Sequence, residues 1–125
     1  MNEVVTVNED IIFDDAPLER FIYSAKNSTV IFEADTEDEA RITLTFIGVI
    51  SFKFTPSFCF DRSKIYTNDG YNKSLLHVKE SVWIEEINKA KVEYGEFKDN
   101  DLKHYLIPSD DGIWEIAAHD VQIAI

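Results

Sequence analysis

The alternation of apolar and polar side chains across residues 41–54 is the feature that most limits the folds open to this chain. One parity is apolar and the other mostly polar: Ile42, Leu44, Phe46, Ile50, Phe52 and Phe54 against Arg41, Thr43, Thr45, Ser51 and Lys53. Successive side chains of a strand point to opposite faces, so the pattern predicts one long strand with a core face and a solvated face. Gly48 indicates a bulge within it, or a place where another element covers both faces.

Two shorter strands are predicted before this segment. Residues 20–25 and 29–34 are rich in β-branched and aromatic side chains, and residues 26–28 between them suit a tight turn. The charged residues 35–39 form a second turn that leads into the long strand. A meander is the simplest topology for the three strands.

A helix is predicted from Ser81 to about Tyr94. The apolar side chains Trp83, Ile87, Ala90 and Tyr94 recur at steps of four, three and four. Ser81 suits the N-cap, and Gly95 suits a terminator because a glycine tolerates the left-handed conformation there.

The end of the chain is predicted to return to β structure. Residues 104–107 and 113–118 flank the turn sequence PSDDG, which favours a hairpin, and residues 120–125 alternate again. Between residues 57 and 79 the pattern is weaker, with a turn near Gly70 and a short strand that includes Leu75, Leu76 and Val78. The predicted fold class is α+β over a single domain, 1–125. It has a mainly antiparallel sheet, a meander plus a C-terminal hairpin, with one principal α-helix packed on it.

The charge balance restricts the partners. Twelve Lys and Arg against 24 Asp and Glu give a formal net charge of −12, which opposes approach to nucleic acids and anionic membranes. The same charge would speed the encounter with a basic protein, although it is also sufficient for solubility alone. Cys59 is the single cysteine, and the sequence shows no apolar run of membrane-spanning length. Residues 1–10 have neither a basic region nor a long apolar run, so a secretory leader is not expected. The cytoplasm is the expected location.

Reactive residues do not form a recognisable motif. His77, His104 and His119 lie in different segments without zinc-ligand spacing. A triad of Ser109, His119 and Asp120 is disfavoured because adjacent His and Asp on a strand point to opposite faces. No Gly-rich phosphate loop is present. We therefore expect no enzyme activity, cofactor or metal, unless the three histidines converge with carboxylates in a cleft.

Residues 80–88 and 103–118 carry a family resemblance. They read ESVWIEEIN and KHYLIPSDDGIWEIAA, and they resemble small bacterial proteins of the immunity type, encoded beside polymorphic toxins. The resemblance implies that the protein neutralises a toxin domain by covering its active surface. On this hypothesis the candidate contact residues are Asp35, Glu37, Asp38, Glu39, Glu85, Glu86, Asp110 and Asp111.

An alternative function remains open from the sequence. The aromatic-rich sheet could line a cavity for a small ligand, or serve a structural role in a homo-oligomer paired through exposed strand edges. Trp83 and Trp114 do not decide the function, because each suits either a core position or an exposed binding surface.

Overall fold

The computed structural model describes residues 3–8, 10–14, 19–38, 40–61, 66–67, 70–71, 73–109 and 111–125. Their regular elements, in chain order, are β1 (Glu3–Thr6), β2 (Arg20–Ser24), β3 (Thr29–Asp35), β4 (Arg41–Ile47), β5 (Ser51–Pro56), a 3-10 turn (Ser57–Cys59), β6 (Tyr66–Thr67), β7 (Gly70–Tyr71), β8 (Leu76–Lys79), α1 (Val82–Tyr94), β9 (Lys103–Pro108), β10 (Gly112–Ala118) and β11 (Asp120–Ala124).

The strands form two larger sheets and a small ladder. Sheet A has the order β1-β8-β9-β10-β5, sheet B has the order β11-β4-β3-β2, and β6 pairs with β7. Every pairing is antiparallel. Mostly antiparallel sheet with a helix is consistent with the predicted α+β class, but the residues predicted to build one sheet are divided between two.

The principal core lies between sheets A and B. Alternate side chains of β3 and β4 are fully buried there, together with inward side chains of β9 and β10: Val30, Phe32, Ala34, Ile42, Leu44, Phe46, Tyr105, Ile107, Ile116 and Ala118. Trp114 stacks on Phe21 at a ring-centroid distance of 4.3 Å, so it joins the two sheets. Burial of such large apolar side chains stabilises a fold by about 1.5–3 kcal/mol each.

The long strand predicted for residues 41–54 is wrong, because the chain changes sheets at Gly48. β4 ends at Ile47 and pairs with β3 and β11, whereas β5 begins at Ser51 and pairs with β10. Gly48 has φ +67, a conformation that glycine adopts without strain. The turn brings Val49 into the core but leaves Ile50 and Phe54, predicted on the core face, 45% and 39% exposed.

Sheet A also has an apolar outer face, which the sequence reading did not predict. β1, which was not predicted as a strand, pairs with β8 in the register Val4↔Val78. Val4, Leu76, Val78, Leu106 and Ile113 form a second buried cluster, against which Phe60 packs. Sheet A is therefore covered on both sides over part of its area.

The predicted helix is confirmed at both ends. Ser81 Oγ accepts the Ile84 N–H at 3.2 Å, and Gly95 ends the helix at φ 99. The predicted apolar stripe is only partly packed: Trp83 and Ile87 are half-buried, but Ala90 is exposed and Tyr94 is 87% exposed. Within the described residues, no helix has the length and apolar character to cross a bilayer.

Candidate functional site

A groove of about 910 Å³ lies between α1, the end of β8 and the segment that leads into β9. Val78, Ile84 and Leu102 give it an apolar part, and Ser81, Asn88 and His104 give it a polar part. Both charge signs occur along its sides, including Lys79, Lys89, Glu85, Glu93 and Asp101. The groove can therefore accept a partner side chain or a small molecule of mixed polarity.

A buried chain of hydrogen bonds joins the start of α1 to sheet A next to this groove. Ser81 Oγ lies 2.7 Å from His104 Nδ1, and His104 Nε2 lies 2.9 Å from Glu115 Oε1. Ser81 and His104 are each 5% exposed. His104 is opposite Ala117 in the β9–β10 register, which makes Glu115 its diagonal neighbour on the same face.

The order serine, imidazole, carboxylate is one that can move a proton, but here the serine is already engaged. When the neutral ring donates from Nε2 to Glu115, Nδ1 accepts the Ser81 hydroxyl hydrogen. Ser81 Oγ in turn accepts the Ile84 N–H and so caps α1. Each atom of the network has a partner inside the fold, so its evident effect is to fix the helix on the sheet.

Lys53 and Trp83 extend this network of contacts to the edge of sheet A. Lys53 Nζ lies 3.7 Å from Glu115 Oε2 and 4.4 Å from the centroid of the Trp83 ring. The Trp83 ring meets His104 edge to face at 4.9 Å. Trp83 is therefore a packing anchor between helix and sheet, one of the two roles that the sequence left open for it.

A second histidine–carboxylate pair holds the segment between α1 and β9. His119 Nε2 lies 2.5 Å from Asp99 Oδ2. Buried Asn88 on α1 binds the Asp99 backbone in both directions, at 2.8 Å to its N–H and 3.1 Å to its carbonyl oxygen. The hydrogen bond from His119 lowers the pKa of Asp99, an effect that burial opposes and that the Asp101 N–H and the charge of Lys91 reinforce.

His77 lines the groove but is not joined to either pair. Burial lowers the pKa of His77, and the charges of Lys103, Lys79 and His104 lower it further. His77 and His104 both line the groove, whereas His119 belongs to the pair with Asp99. In the part of the chain that is described, no group of three or more His, Cys, Asp or Glu side chains is arranged to hold a metal ion.

The candidate acidic residues fall into separate regions. Asp35, Glu37 and Asp38 lie at the β3–β4 connection, where Asp35 is bound by Arg41 at 2.9 Å. Asp111 lies at the β9–β10 connection, and Glu85 and Glu86 are exposed on α1. Both connections are at the strand ends away from the Gly48 turn. Glu39 and Asp110 lie outside the described residues.

Three of the aromatic side chains whose exposure is described are almost fully solvated: Tyr94 is 87% exposed, Phe97 93% and Phe58 90%. The sequence predicted Tyr94 on the apolar face of the helix and did not single out Phe97 or Phe58. Glu93 precedes Tyr94 and Glu96 precedes Phe97, a local signal that could have indicated a solvated position. The hydrogen-bond partners Asn88 and Asp99 were also missed, because they meet only in the folded chain.

The fold and the groove define this chain as an acidic protein of two packed antiparallel sheets with a helix over one of them. Comparison with protein-family models, curated proteins and solved structures finds no match.

Proposed function

We propose that the protein is a non-catalytic binding protein of the immunity type, which neutralises a cognate toxin domain by covering its active surface. The observation that carries the proposal is the net charge of −12. A surface of this charge attracts a basic protein and raises the rate of encounter. Toxin domains that act on nucleic acids are commonly basic, so the charge suits such a partner.

The internal use of the histidines also supports a binding role. His104 bonds to Ser81 and Glu115, and His119 to Asp99, whereas Glu37, Asp38, Glu85, Glu86 and Asp111 are exposed. His104 and His119 are thus engaged within the fold, whereas these five carboxylates face solvent. Occlusion of this kind needs no cofactor, and on this proposal the protein acts in the cytoplasm of the cell that makes the toxin.

The proposal requires a gene for a toxin domain beside the gene for this protein, and its test is binding to that domain. We expect a complex with one dominant interface, an association rate that falls steeply as NaCl is raised from 50 to 500 mM, and loss of toxin activity on binding. Glu85→Lys with Glu86→Lys, compared with Glu37→Lys with Asp38→Lys, makes a matched pair of charge reversals on α1 and on the β3–β4 connection. A wild-type chain that leaves the toxin domain active at saturating concentration would overturn the proposal.

The groove favours a second candidate function, the binding of a small ligand. Its volume of about 910 Å³ lies within the usual range for ligand pockets, and its lining combines apolar and polar groups. The variant Leu102→Trp would fill the apolar part. A small molecule that stabilises the wild type against heat and has no effect on this variant would support the second function.

A further inference from the structure

The α1–β9 connection, residues 96–102, forms a wall of the groove without regular secondary structure. Residues 98–102 line the groove beside α1 and the end of β8. The side chains of the connection are exposed apart from two. The Asp99 side chain is 15% exposed, and Leu102 is 7% exposed. The connection therefore turns one polar and one apolar side chain into the fold.

Asp99 makes the polar contacts of the connection with the rest of the described chain. Its backbone N–H and carbonyl oxygen bond to Asn88 at 2.8 and 3.1 Å, and its carboxylate bonds to His119 and lies 3.9 Å from Lys91. The remaining hydrogen bond between the connection and the described chain joins the Glu96 N–H to the Lys91 carbonyl oxygen, at the end of α1. Release of Asp99 would therefore free the connection apart from its apolar contact.

Water can compete for the carboxylate contacts of Asp99. The side chain of His119 is 42% exposed, and that of Lys91 is 27% exposed. In the other histidine–carboxylate pair, the side chains of His104 and Glu115 are 7% and 10% exposed. Ion pairs that water reaches contribute little to stability, whereas breaking a buried pair is costly. Of the two pairs, the one at Asp99 is therefore the one that can break without unfolding of the sheet.

Gly95 gives the connection a hinge at the end of α1. It has φ +99, and no atom lies within 4 Å of the position of an added Cβ. A change of the backbone angles there does not disturb packed side chains. Segments with few buried contacts open on their own, at a lower free energy than global unfolding requires.

We propose that residues 96–102 are a lid on the groove, which turns at Gly95 and is held closed by Asp99. Opening of the lid removes Leu102 from the apolar part of the groove and frees the Asn88 amide to bond to an incoming group. Lids of this kind control entry to a binding site. The inference concerns access to the groove, so it applies to a partner side chain and to a small ligand alike, and it does not rest on the proposed toxin.

Cysteine labelling measures the opening without a ligand. In a Cys59→Ser background, which removes the exposed natural thiol, Leu102→Cys places a thiol in the lid. Leu106→Cys places one within β9, at a position that is 2% exposed. Iodoacetamide at pH 8 modifies each thiol when its segment opens, and mass spectrometry gives the rate. We expect Leu102→Cys to react at least ~10-fold faster than Leu106→Cys, because the lid opens more often than the whole fold.

Variants of the lid test the role of Asp99. Asp99→Ala should raise the ratio of the Leu102→Cys rate to the Leu106→Cys rate by at least ~10-fold, because it removes the carboxylate contacts that hold the lid closed. The ratio is used because it cancels a change in global stability. Asp101→Ala is the matched control, since Asp101 is an exposed carboxylate of the same connection and bonds to Asp99 through its backbone N–H at 3.1 Å. It should leave the ratio within about twofold of its value without the substitution.

Two outcomes would overturn the inference. Equal rates for Leu102→Cys and Leu106→Cys would show that the connection opens only with the whole fold. A ratio that Asp99→Ala leaves unchanged would show that Asp99 does not hold the lid closed. Near-ultraviolet circular dichroism checks that each variant is folded. Asn88→Ala, which removes both bonds to the Asp99 backbone, should raise the ratio in the same way and replaces Asp99→Ala if that chain does not fold.

Discussion

The imidazole of His119 lies directly over the Cα of Gly48, where a Cβ would overlap with Nδ1. The His119 N–H donates to the Ile47 carbonyl oxygen at 2.9 Å, and Lys103 Nζ donates to the His119 carbonyl oxygen at 2.7 Å. The point where the chain passes from sheet B to sheet A is thus packed against the point where β10 leads into β11. The same histidine also bonds to Asp99. His119 therefore stabilises both the passage of the chain between the two sheets and the segment after α1.

Replacement of Gly48 tests this contact. Gly48→Ala must adopt φ +67 with a side chain and must also displace His119. We expect it to lower the free energy of unfolding by about 2–4 kcal/mol, more than the positive φ alone would account for. Gly95→Ala is the control, because Gly95 has φ +99 but no atom within 4 Å of an added Cβ. Urea unfolding that shows equal losses for both variants would contradict the steric role of His119.

The members of the Ser81–His104–Glu115 hydrogen-bond chain should contribute unequally to the free energy of unfolding. His104→Ala leaves the Glu115 carboxylate, 10% exposed, without its nearest partner, and we expect a loss of about 3 kcal/mol. Ser81→Ala removes the helix cap and should lower stability by about 1 kcal/mol. Chemical denaturation of both variants measures these values, with Glu86→Ala as an exposed helix control. A loss for His104→Ala no greater than that of the control would show that the network adds nothing to stability.

Local signals were sufficient to predict α1 but not the path of residues 41–54. Ser81 and Gly95 act through bonds to residues within one turn, so sequence alone determines both ends of the helix. The alternation around Gly48 is the same for a bulged strand and for two strands in different sheets. The choice depends on pairing of β5 with β10, which lies some sixty residues further along the chain.

The candidate site shows the same division. The exposure of Glu85 and Glu86 on α1 follows from the helical period, and the sequence anticipated it. The partners of His104 depend on the β9–β10 register and on the face of sheet A on which the helix packs. The alternation of side chains along a strand specifies neither of them. Asn88 and Asp99 meet through an irregular segment, for which no periodic pattern exists.

The pKa of His77 leads to a stability that depends on pH. Burial, followed by the charges of Lys103, Lys79 and His104, lowers it below its ordinary value of 6.5. The folded protein therefore takes up fewer protons than the unfolded chain just below pH 6.5. The contribution of His77 is fully present above pH 6.5 and is lost as the pH falls toward the folded pKa. The free energy of unfolding of the wild type should be lower at pH 5.5 than at pH 7.5. The decrease should be smaller in His77→Gln.

Titration of the His77 ring protons by NMR gives the direct measurement. A midpoint below 6.5 in the folded protein is expected. A midpoint at or above that value would contradict the role of burial and of the neighbouring lysines, and a pH dependence unchanged in His77→Gln would assign the loss of stability to other groups.

The hydrogen bonds of Asp99 to His119 and Asn88, which we call the Asp99 clamp, should make stability depend on pH in a lower range than His77 does. The hydrogen bond from His119 is the main reason that the pKa of Asp99 lies below its ordinary 3.8. A carboxylate with a lowered pKa contributes stability that is present above pH 3.8 and is lost as the pH falls through the folded pKa. Asp99→Asn should remove that acid-dependent part of the free energy of unfolding.

Asn88→Ala, which deletes both bonds to the Asp99 backbone, should lower the free energy of unfolding by about 1–3 kcal/mol at neutral pH. Hydrogen exchange at the Asp99 amide measures the clamp itself, and protection that persists in Asn88→Ala would contradict this assignment.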